Sequence, residues 1–296
     1  MRTSSARLFR SLGHQLHENP LGLPRSGTPP SWPTRPRKRK IAGVEKVIAV
    51  SSAKGGVGKS TVAANLAIAF AKSGFRSGIL DTDIFGPSVP TLFGLSGEPR
   101  LSSKNQLVPL TSYGVKSMSM GYLVGEKAPV VWRGPMVMKA IQQLLHEVDW
   151  GKLDVLILDL PPGTGDTQLT ITQQVVLDGS VIVSTPHTLA LKDAEKGINM
   201  FKMVDVDVLG MVQNMVLLQC PHCQEDLDIF GSRQRGLDLC KEHDIDFLGD
   251  IPLHPAIKDD GDREKPIVVA HPESSMALIF RGIAETIGEK IGLIRE

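Results

Sequence analysis

The sequence predicts an α/β protein with a mainly parallel β-sheet that is covered by helices on both faces. Short runs rich in β-branched residues recur from residue 46 onward: "KVIAVSS", "RSGILDTD", "KLDVLILDLPP", "SVIVSTP", "DVLGMVQNM" and "DFLGDIP". Helical patterns separate most of them, at 59–73, 134–147, 167–178 and 189–204, and "VKSMSM" and "PVVWRGP" are two further candidate strands. Continuous apolar strands that alternate with helices are typical of a parallel sheet buried on both faces.

Polar residues follow these strands at the points where the strands end. In such sheets, ligands bind outside the carboxyl ends of the strands, so these residues mark one candidate site. The residues are Lys54, Lys59, Asp81, Asp83, Asp159, Thr185 and Asn214.

A glycine-rich turn connects the first strand to the first helix, in "VIAVSSAKGGVGKSTVAANLAIAF". Glycines adopt positive φ, and such a loop lets backbone N–H groups surround phosphate oxygens at a helix N-terminus. The pattern G-x-x-x-x-G-K-[ST] is met except at Ala53, so Lys59 is expected to reach phosphates and the Ser60 hydroxyl to take Mg²⁺. The predicted nucleotide loop comprises Gly55, Gly56, Val57, Gly58, Lys59, Ser60 and Thr61.

Three carboxylates follow strands and are candidates for the chemistry of a bound nucleotide. Asp159 ends an apolar run, where it would orient a magnesium-bound water beside the turn "PPG". Asp81 and Asp83 form a second pair, and one of them is expected near the attacking water. Turn or capping carboxylates are the alternative interpretation for both, and the sequence leaves the choice open.

Several ordered motifs resemble the Mrp/NUBPL family of the MinD/ParA-like deviant Walker A group. They are "KGGVGKST", "DTDIFGPSVP", "DLPPGTGD", "TPHTLALKDAEKG", "QNM" and "CPHC", spread over about residues 44–295. The resemblance implies a P-loop NTPase that closes around ATP as a homodimer. It implies that Lys54 reaches the partner's nucleotide while Lys59 acts in its own subunit.

The same resemblance assigns further roles by matching position. Asp83 corresponds to an aspartate associated with hydrolysis, and Asp159 to the Walker B acid. Asn214 corresponds to an asparagine that reads adenine, which favours ATP over GTP. We therefore expect a slow ATPase with Lys54, Asp83 and Asp159 as catalytic residues. The sequence departs from the family at Val216, where many relatives carry serine.

Cys220 and Cys223 are spaced C-x-x-C after a predicted strand. Two thiolates hold half of a four-ligand metal site, and a twofold dimer would supply the other two, for zinc or an iron–sulfur cluster. The resemblance implies a [4Fe–4S] cluster. Thiol–disulfide exchange is a competing interpretation, although it is usual in a thioredoxin-like fold. Cys240 lies in a helical pattern and is expected to be a small buried residue.

The first forty residues differ in composition from the rest of the chain. They hold nine Arg and Lys residues and one acid, a net charge of +8, whereas residues 41–296 hold 24 basic and 31 acidic side chains. An Arg- and Ser-rich segment with few acids is typical of a mitochondrial presequence. We therefore predict a targeting segment and disordered linker at 1–40 and a P-loop ATPase domain at 41–296 with its cysteine loop at 220–223. A disordered basic tail and a nuclear signal in "RPRKRK" are the alternatives.

The net negative charge of the predicted domain argues against nucleic acid as a partner. No apolar run reaches the length of a transmembrane helix. The last helical pattern has isoleucines at i+4 spacing and a polar face of balanced charge, which favours docking on the sheet over insertion at a membrane. Peripheral membrane association through a partner stays open.

These inferences combine into a functional hypothesis. The chain is expected to be an ATP-dependent iron–sulfur carrier of the mitochondrial matrix, with ATP, Mg²⁺ and a [4Fe–4S] cluster as ligands. It would transfer the cluster to apo-proteins, with respiratory complex I subunits among the recipients. The alternative is a MinD/ParA-like positioning switch, driven by ATP, in which the cysteine pair has no role.

Overall fold

A single eight-stranded sheet forms the centre of the computed structural model, which describes residues 38–123, 134–220 and 222–294. The strands are β1 (Val44–Ser51), β2 (Ser77–Asp81), β3 (Leu110–Ser112), β4 (Val115–Ser119), β5 (Leu153–Asp159), β6 (Gly179–Ser184), β7 (Val208–Asn214), β8 (Leu218–Gln219), β9 (Asp226–Leu227) and β10 (Phe247–Ile251). In the large sheet the order is β10-β7-β6-β1-β5-β2-β4-β3, and β8 pairs with β9 separately. All neighbours in the large sheet are parallel except β3 and β4, as the predicted fold class requires.

The helices within the described residues cover both faces of this sheet. They are α1 (Lys59–Lys72), α2 (Val89–Phe93), α3 (Gly134–His146), α4 (Asp166–Gln174), α5 (Thr188–Met203), α6 (Gln234–His243), α7 (Pro255–Asp262), α8 (Ile267–Ala270) and α9 (Ser275–Lys290), with a 3-10 turn at Met120–Tyr122. One apolar cluster contains α1 and α9, and a second contains α3 and α5. The two clusters are the two covered faces expected for a parallel sheet.

Two of the predictions lie outside the described residues in whole or in part. Of the proposed presequence and linker at 1–40, only Lys38, Arg39 and Lys40 are described. Lys38 donates to the carbonyl oxygen of Val204 at 2.7 Å, and the backbone of Arg39 pairs with Val175, so these residues contact the domain. Most of the candidate strand "PVVWRGP" lies in residues 124–133, which are not described.

The predicted helix at 167–178 is wrong at its carboxyl end, because α4 ends at Gln174. Val175 adopts an extended conformation with φ −113° and ψ 141° and forms a parallel bridge with Arg39. The N–H of Arg39 donates to the carbonyl oxygen of Gln174, and the N–H of Val176 donates to that of Arg39. Tertiary pairing of two adjacent β-branched residues thus overrides the helical pattern.

Helix α9 packs on α1 and β10 rather than standing apart from the domain. Its apolar face, which includes Phe280, Ile283 and Ile287, is buried in the first apolar cluster. The Ser274 hydroxyl accepts from the N–H of Ala277 at 3.2 Å and caps the helix. The docked position predicted for this helix is confirmed. Among the described residues, no helix combines the length and apolar character needed to cross a bilayer.

We expect Ile287→Ala to lower the free energy of unfolding by about 2–5 kcal/mol, because it leaves a cavity under α9. Ile287 is 0% exposed, whereas Leu278 on the same helix is 51% exposed. Leu278→Ala is therefore the matched control and should change stability by less than about 0.5 kcal/mol. Urea unfolding of both variants checks this, and equal small losses would mean that α9 is not docked in solution.

Candidate functional site

The glycine-rich loop joins β1 to α1 and depends on two residues with positive φ. Gly56 has φ 80° and Gly58 has φ 81°, a region that other residues rarely adopt. A Cβ atom at Gly58 would lie 2.2 Å from Nδ2 of Asn214, so no larger residue fits there. A Cβ atom at Gly55 or Gly56 would meet nothing within 4 Å, so the backbone is approachable from the cleft at these positions. The loop and the N-terminus of α1 thus present N–H groups to a single cleft.

The two lysines of this loop occupy different environments. Lys59 is 6% exposed, forms an ion pair with Asp159 and donates to the Ser60 hydroxyl at 3.2 Å. Lys54 is exposed, and within the described residues its side chain forms no ion pair. Its carbonyl oxygen accepts from the Ser52 hydroxyl at 2.9 Å, which fixes the backbone but leaves the ammonium in solvent. Lys59 is therefore buried within the site of its own chain, whereas the Lys54 ammonium is accessible to a second molecule.

Asp159 ends β5 and is completely buried beside the loop. Its Oδ1 contacts the Lys59 ammonium, and among the described residues its Oδ2 has no hydrogen-bond partner. Burial raises the pKa of Asp159, and the charge of Lys59 opposes that shift. Buried acceptors normally have a hydrogen-bond donor. The free Oδ2 atom therefore fits a site in which a ligand supplies that donor, such as a water molecule bound to a metal ion. The oxygen atoms of Ser60 and Asp159 are the kind of donor set that suits Mg²⁺.

Asp81 has a structural role, so the alternative interpretation of a turn or capping carboxylate is the correct one for this residue. It is 0% exposed, and its carboxylate accepts from the N–H groups of Asp83, Ser88 and Val89 at 3.0, 3.0 and 3.2 Å. The Ser119 hydroxyl on β4 also donates to it, at 3.2 Å. Both ends of the loop 82–88 are thus fixed to one carboxylate. Burial, followed by the negative charge of Asp159, raises the pKa of Asp81 from 3.8 to about 7.

Asp83 is half-buried and lines the cleft, so it is the member of the pair that a ligand would meet. Its Oδ1 accepts from the N–H groups of Phe85 and Gly86, each at 3.3 Å, which leaves Oδ2 for other contacts. The turn interpretation therefore describes part of its role, and its position also fits the expected role near an attacking water. The same loop exposes Phe85, which is 72% exposed.

The turn after β5 forms the other side of the phosphate region. Gly163 has φ 96°, and its N–H donates to the carbonyl oxygen of Ser52 at 3.0 Å, which holds the turn against the strand before the glycine-rich loop. Gln168 on α4 donates to the carbonyl oxygen of Pro161 at 2.7 Å and to the Ser51 hydroxyl at 2.8 Å. Gln168 is 1% exposed and was not identified from the sequence, because a glutamine in a helical pattern carries no signal of its own.

A cleft of about 620 Å³ extends from this loop toward α7. Asn214 lies in its wall, 7% exposed, and donates from Nδ2 to the carbonyl oxygen of Val57 at 2.8 Å. Thr185 directly follows β6 and is not among the cleft-lining residues. The far wall of the cleft was not predicted from the sequence. Its residues directly follow strand β10, and ligands in such sheets bind beyond strand ends, so this position was a signal that could have identified them. That wall contains Pro252, Leu253, His254, Ile257 and Lys258.

The cysteine pair lies in the loop that connects β8 to β9 in a small hairpin, so the predicted position in a loop directly after a strand is confirmed. Cys220 and Glu225 pair through a hydrogen bond from the N–H of Cys220 to the carbonyl oxygen of Glu225, at 2.9 Å. Hydrogen bonds from the backbone N–H groups of Cys223 and His222 lower the pKa of Cys220. This favours the thiolate, which is the form that binds metals. The donor chemistry of the pair therefore fits a metal centre.

No group of three His, Cys, Asp or Glu side chains within the described residues could complete such a centre. Cys223 is exposed at the tip of the hairpin, and so is His222. Cys240 is 3% exposed in α6, and burial, followed by the charge of Asp246, raises the pKa of its thiol to about 11. The third cysteine is thus a buried apolar residue, as predicted, whereas Cys220 is half-buried and Cys223 is exposed.

The fold and the cleft together define an α/β P-loop NTPase. Residues 43–288 match the family model described as "ParA: NUBPL iron-transfer P-loop NTPase". The chain belongs to this family, whose members transfer or carry iron–sulfur clusters, and the resemblance seen in the motifs is confirmed.

Named relatives and a solved structure agree with this assignment. The chain is 48% identical to "Iron-sulfur cluster transfer protein NUBPL" of Dictyostelium discoideum over 88% of this chain and 81% of that protein. It is 44% identical to "Iron-sulfur protein required for NADH dehydrogenase, mitochondrial" of Arabidopsis thaliana over 88% and 84%. A nucleotide-binding protein from Archaeoglobus fulgidus, solved in complex with ADP, superposes with a TM-score of 0.68 at 39% identity and covers 79% of this chain and 91% of its own.

The buried carboxylate of Asp81 predicts a pH-dependent stability difference. Between pH about 4 and 7 the folded chain retains a proton on Asp81 that the unfolded chain releases, so wild-type stability falls as pH rises through this window. Asp81→Asn cannot titrate there. We therefore expect the free energy of unfolding of the wild type, minus that of Asp81→Asn, to decrease from pH 5 to pH 8 in urea titrations.

The exposed turn residue Asp205 supplies the control, as Asp205→Asn. Its stability difference from the wild type should show much less dependence on pH over the same range, because solvent screens exposed charges. An Asp81→Asn difference that stays constant or increases with pH would contradict the buried position of this carboxylate.

Proposed function

We propose that the chain is an ATP-dependent carrier that binds a [4Fe–4S] cluster between two copies and transfers it to apo-proteins. The observation that carries the proposal is the pair of free thiols, Cys220 half-buried and Cys223 exposed, on a hairpin that starts four residues after Asn214, which lies in the wall of a P-loop cleft. The names of the relatives support the cargo, since one is called an iron–sulfur cluster transfer protein and another an iron–sulfur protein.

The cluster is the cargo, and the geometry of the hairpin supports sharing it between subunits. Each chain offers two thiolates, and the described residues supply no third ligand nearby. Two copies related by a twofold axis would provide four thiolates, which is the usual ligand set of a [4Fe–4S] cluster. An exposed position at a hairpin tip also leaves the cargo accessible to a recipient. A zinc ion bound by the same four cysteines between the two copies is the competing interpretation, because it requires the same ligand geometry.

The nucleotide part of the proposal assigns separate tasks to the residues of the cleft. The backbone of the glycine-rich loop and the Lys59 ammonium would bind phosphates, and Ser60 and Asp159 would hold Mg²⁺ and its water. The magnesium ion would screen phosphate charge. Asp83 would orient the attacking water, and Asn214 would read adenine. Lys54, exposed beside the cleft, would reach the partner's nucleotide, so that hydrolysis is slow until two copies close.

The location and the recipients follow from the amino-terminal composition and from one relative's name. The net charge of +8 over residues 1–40 supports import into the mitochondrial matrix. The Arabidopsis relative is named for NADH dehydrogenase, which supports complex I subunits as recipients. Peripheral membrane association would then come from the recipient, since the apolar face of α9 is already buried.

Substitution of the two lysines should separate their roles. Lys59→Ala should weaken binding of ATP by roughly 10- to 100-fold, because a charge-assisted hydrogen bond contributes about 1.5–3 kcal/mol. Lys54→Ala should leave ATP binding by the isolated chain nearly unchanged but lower ATP-dependent dimerisation and hydrolysis. Calorimetric titration measures the first effect, and light scattering with phosphate release measures the second.

Lys72→Ala is the matched control, since Lys72 is an exposed lysine in the last turn of α1, away from the cleft. It should change neither property. Circular dichroism checks that Lys59→Ala remains folded, because this variant leaves Asp159 without its ion pair. Equal loss of ATP affinity in Lys54→Ala and Lys59→Ala would show that Lys54 acts within its own subunit.

Substitution of the cysteines should separate cargo binding from nucleotide binding. Cys220→Ser or Cys223→Ser removes two of four ligands by symmetry, so iron retained after anaerobic reconstitution should fall to about a tenth of the wild-type content or less. ATP affinity should remain within about twofold, because neither Cys220 nor Cys223 is among the residues that line the cleft. Iron analysis and ATP titration on the same samples check both statements.

Cys240→Ala is the control and should retain iron, because Cys240 is buried in α6. Zinc in place of iron in the purified wild type would support a structural metal ion between the two copies. A wild type that binds no metal, with unchanged ATP-dependent dimerisation in the double cysteine variant, would instead support a positioning switch.

A further inference from the structure

A short stretch of chain connects the nucleotide cleft directly to the cysteine hairpin. Residues 214–219, which we name the linking segment, begin with Asn214 in the cleft wall and end in β8, immediately before Cys220. Only the five residues 215–219 separate the two functional groups. Any ligand that moves the start of this segment therefore acts close to the thiolates.

Hydrogen bonds attach the linking segment to both walls of the cleft. Asn214 donates to the carbonyl oxygen of Val57, in the glycine-rich loop, at 2.8 Å. On the other side, the N–H of Val216 donates to Ile251 at 3.1 Å, and the N–H of Leu253 donates to Leu217 at 2.8 Å. Because Leu253 also lines the cleft, a bound nucleotide would lie between two walls that are joined through this segment.

Met215 is the unusual residue of the linking segment. Its φ is 56°, in the left-handed region that a long side chain rarely adopts. A Cβ atom built at Gly58 would lie 3.5 Å from Met215 Cε, so the end of the methionine side chain lies against the phosphate loop. Met215 also lines the cleft. Backbone conformations of this kind persist where surrounding contacts determine them, and they occur often at ligand sites and switches.

The next residue gives the segment its anchor. Val216 is buried, with 1% of its surface exposed. Its buried side chain and its bond to β10 hold the segment on the sheet directly after the left-handed residue. The contacts of Asn214 and Val216 hold the chain on both sides of Met215, so a change in the backbone at Met215 has to displace one of them and is not absorbed by free rotation.

We propose that Met215 is a positioning residue through which a nucleotide in the cleft sets the position of the cysteine hairpin. The proposal rests on the proposed function, in that the cleft takes a nucleotide and the hairpin takes the cargo. A nucleotide that contacts the loop at Gly58 and the wall at Asn214 favours one arrangement of Met215 over another. Differential contact of this kind is what a ligand needs to shift a conformational equilibrium.

The test compares two substitutions that make the same change in backbone preference. Met215→Gly removes the side chain that lies against Gly58 and relaxes the left-handed backbone, which glycine adopts readily. Asp205→Gly makes the matching change at φ 54° in an exposed turn after α5, at the opposite end of β7 from the hairpin. Both variants should fold, and only Met215→Gly should alter the coupling between the nucleotide cleft and the cysteine hairpin. Met215→Leu retains an apolar contact and serves as the conservative variant.

The measurement is the rate at which Cys220 and Cys223 react with a disulfide reagent, with and without Mg²⁺ and ADP. A Cys240→Ala background leaves the hairpin pair as the reporter. A protein concentration at which light scattering shows only monomers prevents dimer closure from protecting the thiols. We expect ADP to change the rate by about fivefold, the lower end of usual couplings between sites, in the wild type, Asp205→Gly and Met215→Leu.

In Met215→Gly we expect ADP to leave the rate unchanged, with its affinity for ADP within about threefold of wild type. A full ADP effect in Met215→Gly, or none in the wild type, would overturn the proposal. So would a loss of ADP affinity large enough to make Met215 a binding residue. The assay needs no iron, so failure of cluster binding in reconstitution and failure of this coupling are distinguishable.

Discussion

The buried ion pair between Lys59 and Asp159 is the interaction on which the rest of the site depends. It joins the first residue of α1 to the last residue of β5, and the two side chains are 6% and 0% exposed. Each buried charge alone would be strongly unfavourable, and each is retained because the other lies beside it. The pair holds the glycine-rich loop above the carboxyl end of the sheet. One carboxylate oxygen of Asp159 stays without a partner among the described residues, facing the place where a ligand would supply one.

Asp81 extends this arrangement to the neighbouring strand. In the register of β2 and β5 it lies opposite Asp159, so two buried carboxyl groups lie side by side at the base of the site. Its position raises its pKa, and its hydrogen bonds to the backbone hold the loop that carries Asp83. Burial of a carboxyl group is unfavourable on its own. Here the hydrogen bonds that it accepts from backbone N–H groups offset part of that free energy and fix the loop 82–88.

The sequence was sufficient for the fold and for the position of the cleft, because both follow from local patterns. Apolar runs and their spacing predicted the parallel sheet, and the glycine-rich turn located the site at its carboxyl edge. Features that depend on pairing across the chain were not predictable. The end of α4 at Gln174 is set by Arg39, and the far wall of the cleft comes from residues after β10. The four hydrogen bonds of Asp81 and the left-handed backbone of Met215 also leave no signal in a single sequence.

In the proposed function, the cargo and the nucleotide both require a second copy of the chain. The described residues contain one phosphate loop and one pair of cysteines without a third metal ligand beside it, and the exposed Lys54 side chain lies in solvent. Under this proposal a twofold arrangement would complete both sites at once, and dimerisation would be the step that links ATP to the cluster. Native mass spectrometry of the anaerobically reconstituted wild type tests this claim most directly. We expect a dimer whose mass includes one [4Fe–4S] cluster, whereas a monomer that retains a whole cluster, or a dimer that carries none, would contradict a shared site.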